Sequence, residues 1–171
     1  QTNGIRVYSS RSSINYLQGA AATIELAHNL DLTTFLSYRT IDATLTSNGD
    51  IKTILNTGYH RTAKEMERKD NASQFTTGGN LNWRCGRLTL GLTALFTHFD
   101  KALNPNTNLY YRRYAPSGND FWNVGINYSY MRKRWSLTGE TATCNGGTMA
   151  TINNISVQVK SNLSLLAMQR Y

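Results

Sequence analysis

No stretch of this sequence approaches the ~20 consecutive apolar residues that a membrane-crossing helix needs, which excludes a helical membrane protein. Charge is also scarce: charged residues make up 16% of the chain, against the roughly 25% usual in soluble domains. What charge there is leans one way, with 18 Lys and Arg against 10 Asp and Glu and a net +8, a balance suited to an anionic partner such as nucleic acid or the phosphates of a lipid leaflet. Only two cysteines occur, Cys85 and Cys144, without the close spacing of a metal or redox pair. No Gly-x-Ser-x-Gly and no phosphate-cradling glycine loop is present. Gln1 opens the chain with neither an initiator Met nor the basic-then-apolar pattern of a signal peptide, as expected of a fragment or a processed form.

What the sequence does contain is period-two alternation, which sends successive side chains to opposite faces of a sheet. Trp122, Val124, Ile126, Tyr128 and Tyr130 alternate with Asn123, Gly125, Asn127 and Ser129. Leu88, Leu90, Leu92, Ala94 and Phe96 alternate with Thr89, Gly91, Thr93, Leu95 and Thr97. Leu30, Leu32, Leu36 and Tyr38 stand against Asp31, Thr33, Phe35, Ser37 and Arg39, and within Phe75 to Cys85 the residues Leu81 and Trp83 stand against Asn80, Asn82 and Arg84. Weaker alternation predicts strands over Tyr16–Ala27, Trp135–Thr143, Ile152–Lys160 and Leu163–Tyr171, and Ile5–Ser10 fits one more. Most of these are near the ~9–11 residues of a tilted bilayer-crossing strand and longer than the ~5–6 of globular sheets.

The connections sort by length. Short turns are expected at Ala27–Leu30, Cys85–Arg87, Arg132–Arg134 and Lys160–Asn162, with long links at Thr46–Ser73, Asp100–Asp120 and Cys144–Ala150 between them. Short turns at one end and long loops at the other is the outer-membrane barrel arrangement. Within the longest link, Thr62 to Asp70 breaks the two-residue period with good helix formers behind a Thr, predicting a short helix over about 62–70. The expected fold class is therefore all-β: an antiparallel up-and-down meander of long hairpins, 1–171 forming one segment of a larger transmembrane β-barrel.

Several stretches resemble the barrel portion of Bacteroidota helix-hairpin-helix (ComEA-like) domain-containing proteins: Gln18-Gly19-Ala20-Ala21-Ala22, Ile41-Asp42-Ala43-Thr44-Leu45, Gly58-Tyr59-His60-Arg61-Thr62, Glu65-Met66-Glu67-Arg68-Lys69, Tyr111-Arg112-Arg113-Tyr114 and Gly139-Glu140-Thr141-Ala142. In that family a small helix-hairpin-helix region precedes a long C-terminal barrel. The resemblance implies an internal piece of such a barrel, in the bacterial outer membrane. It carries no DNA-binding residue onto this chain.

Candidate chemistry is sparse. Glu25, Arg39, Arg84 and Glu140 fall on the small-polar faces of their strands, where ion pairs inside a barrel lumen are expected in preference to a paired-carboxylate catalytic site. Tyr111, Arg112, Arg113 and Tyr114 form a patch that would contact an anionic ligand or lipid phosphate: arginine grips phosphate bidentately, and tyrosines gather at membrane boundaries. Arg132-Lys133-Arg134 reads as a solvated basic turn at the opposite end. His28, His60 and His98 show no metal-ligand spacing. No enzymatic activity, metal or cofactor is expected.

The resulting expectation is an outer-membrane scaffold or pore, with lipid or lipopolysaccharide, the remaining strands of its barrel and envelope proteins as partners. Two alternatives are a nucleic-acid or DNA-uptake role through a helix-hairpin-helix region, and a soluble β-sandwich binding module whose greasy faces pack on each other. Cys85 lies by a short turn and Cys144 at the long-loop end, roughly 30 Å apart at ~3.3 Å per residue, too far to bridge. Both thiols should therefore react with a maleimide when the protein is denatured without reductant. A mass showing no adduct would mean a Cys85–Cys144 disulfide and a different strand order.

Overall fold

The computed structural model describes residues 16–108 and 110–171. They form one antiparallel meander. Its long strands are β1 (Gly19–Ala27), β2 (Leu30–Ile41), β5 (Ala72–Cys85), β6 (Leu88–Leu103), β7 (Gly118–Arg132), β8 (Trp135–Cys144), β9 (Met149–Lys160) and β10 (Leu163–Arg170), hydrogen-bonded in that order. Two short strands, β3 (Ala43–Leu45) and β4 (Ile51–Ile54), and the helix α1 (Ala63–Met66) lie between β2 and β5. β1 and β10 are the two edges, and no ladder joins them among the described residues.

The expected hairpins are present, with two-residue turns. Three of these turns contain a residue at positive φ: Asn29 at 71°, Gly86 at 59° and Lys133 at 45°. Glycine, and to a lesser degree asparagine, enter that region at small steric cost, whereas Lys133 is strained there. β1 starts at Gly19 and not at Tyr16, and the central strands are longer than expected, β5, β6 and β7 having 14, 16 and 15 residues. The strand expected at Ile5–Ser10 lies outside the described residues.

Register defines rows across the sheet. One row reads Leu30, Trp83, Leu90, Tyr128, Gly139, Asn153 and Gln169. Leu30 is the first residue of β2, while Trp83 is two residues from the end of β5, Tyr128 four from the end of β7 and Asn153 seven from the end of β9. Each hairpin thus reaches two or three residues further than the one before. At ~3.3 Å per residue and ~4.8 Å between strands, this stagger inclines the strands by about 35–40° to the line normal to their turn ends.

The link between β2 and β5 is more ordered than its sequence suggested. Thr46 and Asp50 close a turn through Thr46 N–H to Asp50 C=O (2.8 Å) and Asp50 N–H to Thr46 Oγ1 (3.1 Å), with Gly49 at φ 87°. That turn pairs β3 with β4, and Ile51 of β4 meets Leu103 of β6 in a parallel bridge. These strands have three and four residues, too few for period two to show. The buried core gathers here: Ile41, Ala43, Ile51, Ala72 and Phe99, with Phe121 and Leu103 packed against them. Phe99 and Phe121 meet edge to face at 6.0 Å. Fully burying Ile51 stabilises by roughly 1.5–3 kcal/mol.

The expected helix is present but shorter, Ala63–Met66, with Thr62 as its N-cap. Thr62 Oγ1 accepts from Glu65 N–H (3.3 Å), and the Glu65 carboxylate accepts from Thr62 N–H (3.0 Å) and Arg61 N–H (2.7 Å), completing a capping box. The backbone bonds from Arg61 and Thr62 hold the Glu65 carboxyl below its usual pKa. Because the folded value is depressed, the cap is intact above the ordinary carboxylate range and is lost as pH falls through the folded value. Protection of the Arg61 and Thr62 amides against exchange, taken relative to the intrinsic rate at each pH, should fall on acidification through that window. In Glu65→Gln it should show no such acid step, and persistence of the step in that variant would assign it to another group.

Candidate functional site

Alternation divides the main sheet into two chemically distinct faces. One carries Leu32, Leu36 and Tyr38 of β2, Phe75, Leu81 and Trp83 of β5, Leu90, Leu92 and Phe96 of β6, and Trp122, Val124, Ile126, Tyr128 and Tyr130 of β7. No part of the described chain covers these side chains: Leu36 is 55% exposed, Leu92 45% and Ile126 58%. Exposed apolar surface on this scale marks an interaction site.

Aromatic residues bracket this face at two levels. Trp83, Tyr130 and Trp135 lie near the short turns; Tyr38, Phe75, Phe96, Trp122 and Tyr171 lie toward the long loops. Phe75 and Trp83 stand eight positions apart on β5, as do Trp122 and Tyr130 on β7. Eight residues at ~3.3 Å span about 26 Å along the strand, or roughly 20–22 Å once inclined. Between these levels the apolar face has no charged residue. At the upper level His98 Nδ1 and Asp120 Oδ1 pair directly across β6 and β7 at 2.6 Å. Toward β10 the face becomes polar but self-satisfied: Tyr128 O–H donates to Asn153 Oδ1 (2.8 Å), Asn153 Nδ2 donates to Gln169 Oε1 (2.8 Å), and the Thr141 and Thr151 hydroxyls bond at 3.0 Å.

The opposite face carries the charged residues that the sequence pattern singled out. Glu25, Arg39, Arg84 and Glu140 all lie on it, as does Asp31. Register decides their partners. Arg84 Nη2 pairs with Asp31 Oδ2 at 2.6 Å, an acceptor the sequence reading did not single out. Arg39 sits opposite Gln74 and donates to its Oε1 from both Nε (3.0 Å) and Nη2 (2.8 Å), and also to the Tyr16 carbonyl (3.1 Å). Glu25 faces Asp31 and Glu140 faces Asn127 across the ladder, and neither is in an ion pair of the described residues. The four residues share a face without pairing with one another.

At the long-loop end a cleft of about 300 Å³ is lined by Arg39, Asp42, Gly58, His60 and Asp70 among others. Asp42 organises it, accepting from Asp70 N–H (2.9 Å) and contacting His60 Nε2 (2.7 Å). The Asn71 side chain pairs with the backbone of Ala43 like a strand residue, accepting from its N–H (3.0 Å) and donating to its carbonyl (2.8 Å). Asp42 and Asn71 were not anticipated, and the only cue in the sequence was two Asx residues flanking the long link.

Tyr111, Arg112, Arg113 and Tyr114 occupy the β6–β7 link, where Tyr110–Arg112 make a 3₁₀ turn. Arg112 lies 5.7 Å from the Tyr111 ring centroid and Arg113 5.9 Å from that of Tyr114, and both tyrosines are exposed. The patch is open to an anion but is not part of the cleft. Cys85 and Cys144 are free thiols at opposite strand ends. No cluster of three metal-binding side chains occurs among the described residues. No protein-family model, curated protein or solved structure matches this chain.

Gly139 tests the packing of the β7–β8–β9 surface. A Cβ there would meet Tyr128 Cε1 and Cζ at 2.6 Å and the Asn153 Oδ1, whereas at Gly79 the nearest neighbour would be the Thr33 carbonyl at 3.6 Å. Gly139→Ala should therefore cost about 1–3 kcal/mol in urea unfolding followed by tryptophan fluorescence. Gly79→Ala should be near neutral; equal effects would mean the ring does not lie over Gly139.

Proposed function

We propose that this chain is a stretch of an outer-membrane β-barrel with a pore or envelope-scaffold role. The observation that carries the reading is the uncharged apolar face between two aromatic levels, with the charged residues that the sequence pattern singled out on the other side. Its height is close to the ~25 Å apolar band, flanked by aromatic girdles, of barrels that cross the outer membrane. The strand inclination of about 35–40° agrees with the roughly 35–45° that closure into a barrel imposes. A soluble sandwich would bury this face against a second sheet, and the described chain supplies no such sheet.

In hydrocarbon every backbone polar group needs a partner, so the edges β1 and β10 would close through further strands. The apolar face would meet lipid, and the polar face with Asp31–Arg84 and Arg39–Gln74 would line the interior. Tyr111, Arg112, Arg113 and Tyr114, on the long-loop side, would meet lipid or lipopolysaccharide phosphate. The resemblance to Bacteroidota helix-hairpin-helix proteins agrees with this setting and supplies the proposed origin of the chain.

Fractionation of the full-length protein tests the reading. It should stay in the outer-membrane pellet through carbonate and urea washes and run faster on gels when unheated. Release into the soluble fraction would mean that the apolar face is covered by protein.

A further inference from the structure

The β3–β4 hairpin packs on one side of the sheet only, and that side is the polar one. Its contacts Ile41, Ala72, Phe99 and Phe121 stand at the same parity as Arg39, Gln74, Thr97 and Asn123, all polar-face positions. Ile51 and Ala43 have no exposed surface. The hairpin leaves β2 and is bonded to β6 at Leu103, four residues past Phe99, where the β5–β6 ladder ends, so it bridges the two strands at the long-loop end of β5.

Bonds fasten it on both sides. Toward β6, Asn104 N–H donates to the Ile51 carbonyl (2.8 Å) and Asn104 Nδ2 to Asp50 Oδ2 (3.2 Å). Toward the returning chain, Asn71 holds Ala43 by two bonds, Arg68 C=O also accepts from Ala43 N–H (3.2 Å), and Lys101 Nζ donates to the Asn71 carbonyl. A solvated surface loop needs no such fastening or dry core; most loops stay on the surface because burial leaves backbone groups unpaired. Here the hairpin backbone is bonded on both sides and its apolar side chains lie against the polar face.

Resting on the barrel reading, we infer that this hairpin is a constriction element at the long-loop mouth, held across the polar interior so that passage is limited to small solutes. Its hold depends on Ile51, the largest side chain with no exposed surface among the described residues. An aspartate there would bury an unpaired carboxylate and detach the hairpin, while the ladders of β5, β6 and β7 keep their own bonds.

The test is potassium chloride conductance of the full-length protein in planar bilayers. Ile51→Asp should raise conductance severalfold over wild type, while Ser47→Asp, the same charge at the turn of the hairpin, should leave it unchanged. In a Cys85→Ser/Cys144→Ser background, Ile51→Cys/Leu103→Cys should oxidise to a disulfide and keep the wild-type conductance, because the two positions face each other in the ladder. Heat-modifiable, membrane-resident Ile51→Asp with unchanged conductance would overturn the constriction alone, as would failure of the cysteine pair to oxidise. Wild-type protein washed out of the membrane would overturn the barrel reading and this inference together.

Discussion

The antiparallel ladder has a side-chain period of two, and nearly everything else in the chain depends on its register. A slip of one residue on any strand would carry that strand's whole set of side chains to the other face. On β5 it would put Arg84 between Leu30 and Leu90 and bring Trp83 beside Asp31. In the proposed membrane setting, an unpaired guanidinium on the apolar face would cost far more than the roughly 0.2–1 kcal/mol that a part-exposed pair such as Arg84–Asp31 supplies. The ion pair therefore contributes little to stability, and its side chains, with Glu25, Arg39 and Glu140, act chiefly by specifying which face is which.

The second dependency is on the loop end. β5, β6 and β7 run past the upper aromatic level because they are needed there: Ala72, Phe99 and Phe121 stand on those extensions and form the floor for Ile51. The extra strand length and the β3–β4 hairpin are one structural unit. Asp42, which interrupts the strand between Ile41 and Ala43, contacts His60 and accepts from the Asp70 amide, so the two ends of the excursion meet at one carboxylate.

Much of this was legible in the residues. The long strands, the two-residue turns, the sorting of loops by length, the separation of the cysteines and the helix behind Thr62 all follow from local rules of periodicity, turn chemistry and capping. The site was legible by face but not by partner. Glu25, Arg39, Arg84 and Glu140 were placed on one side by parity, yet Arg84 chose Asp31 and Arg39 chose Gln74. Those choices come from residues 53 and 35 positions away, brought alongside by register. β3 and β4 escaped notice because three or four residues carry no measurable period.

By itself, then, the sequence determined which side chains share a face, where the chain turns back and where charge is absent, because period two and turn conformation act over a few neighbouring residues. Only the tertiary structure decided which cross-strand pairs form, how far each hairpin is staggered and that the β3–β4 hairpin packs on the polar side. Those depend on contacts between segments far apart in the chain, chosen by the burial of Ile51, Ala43 and Phe99 and by the amide of Asn71.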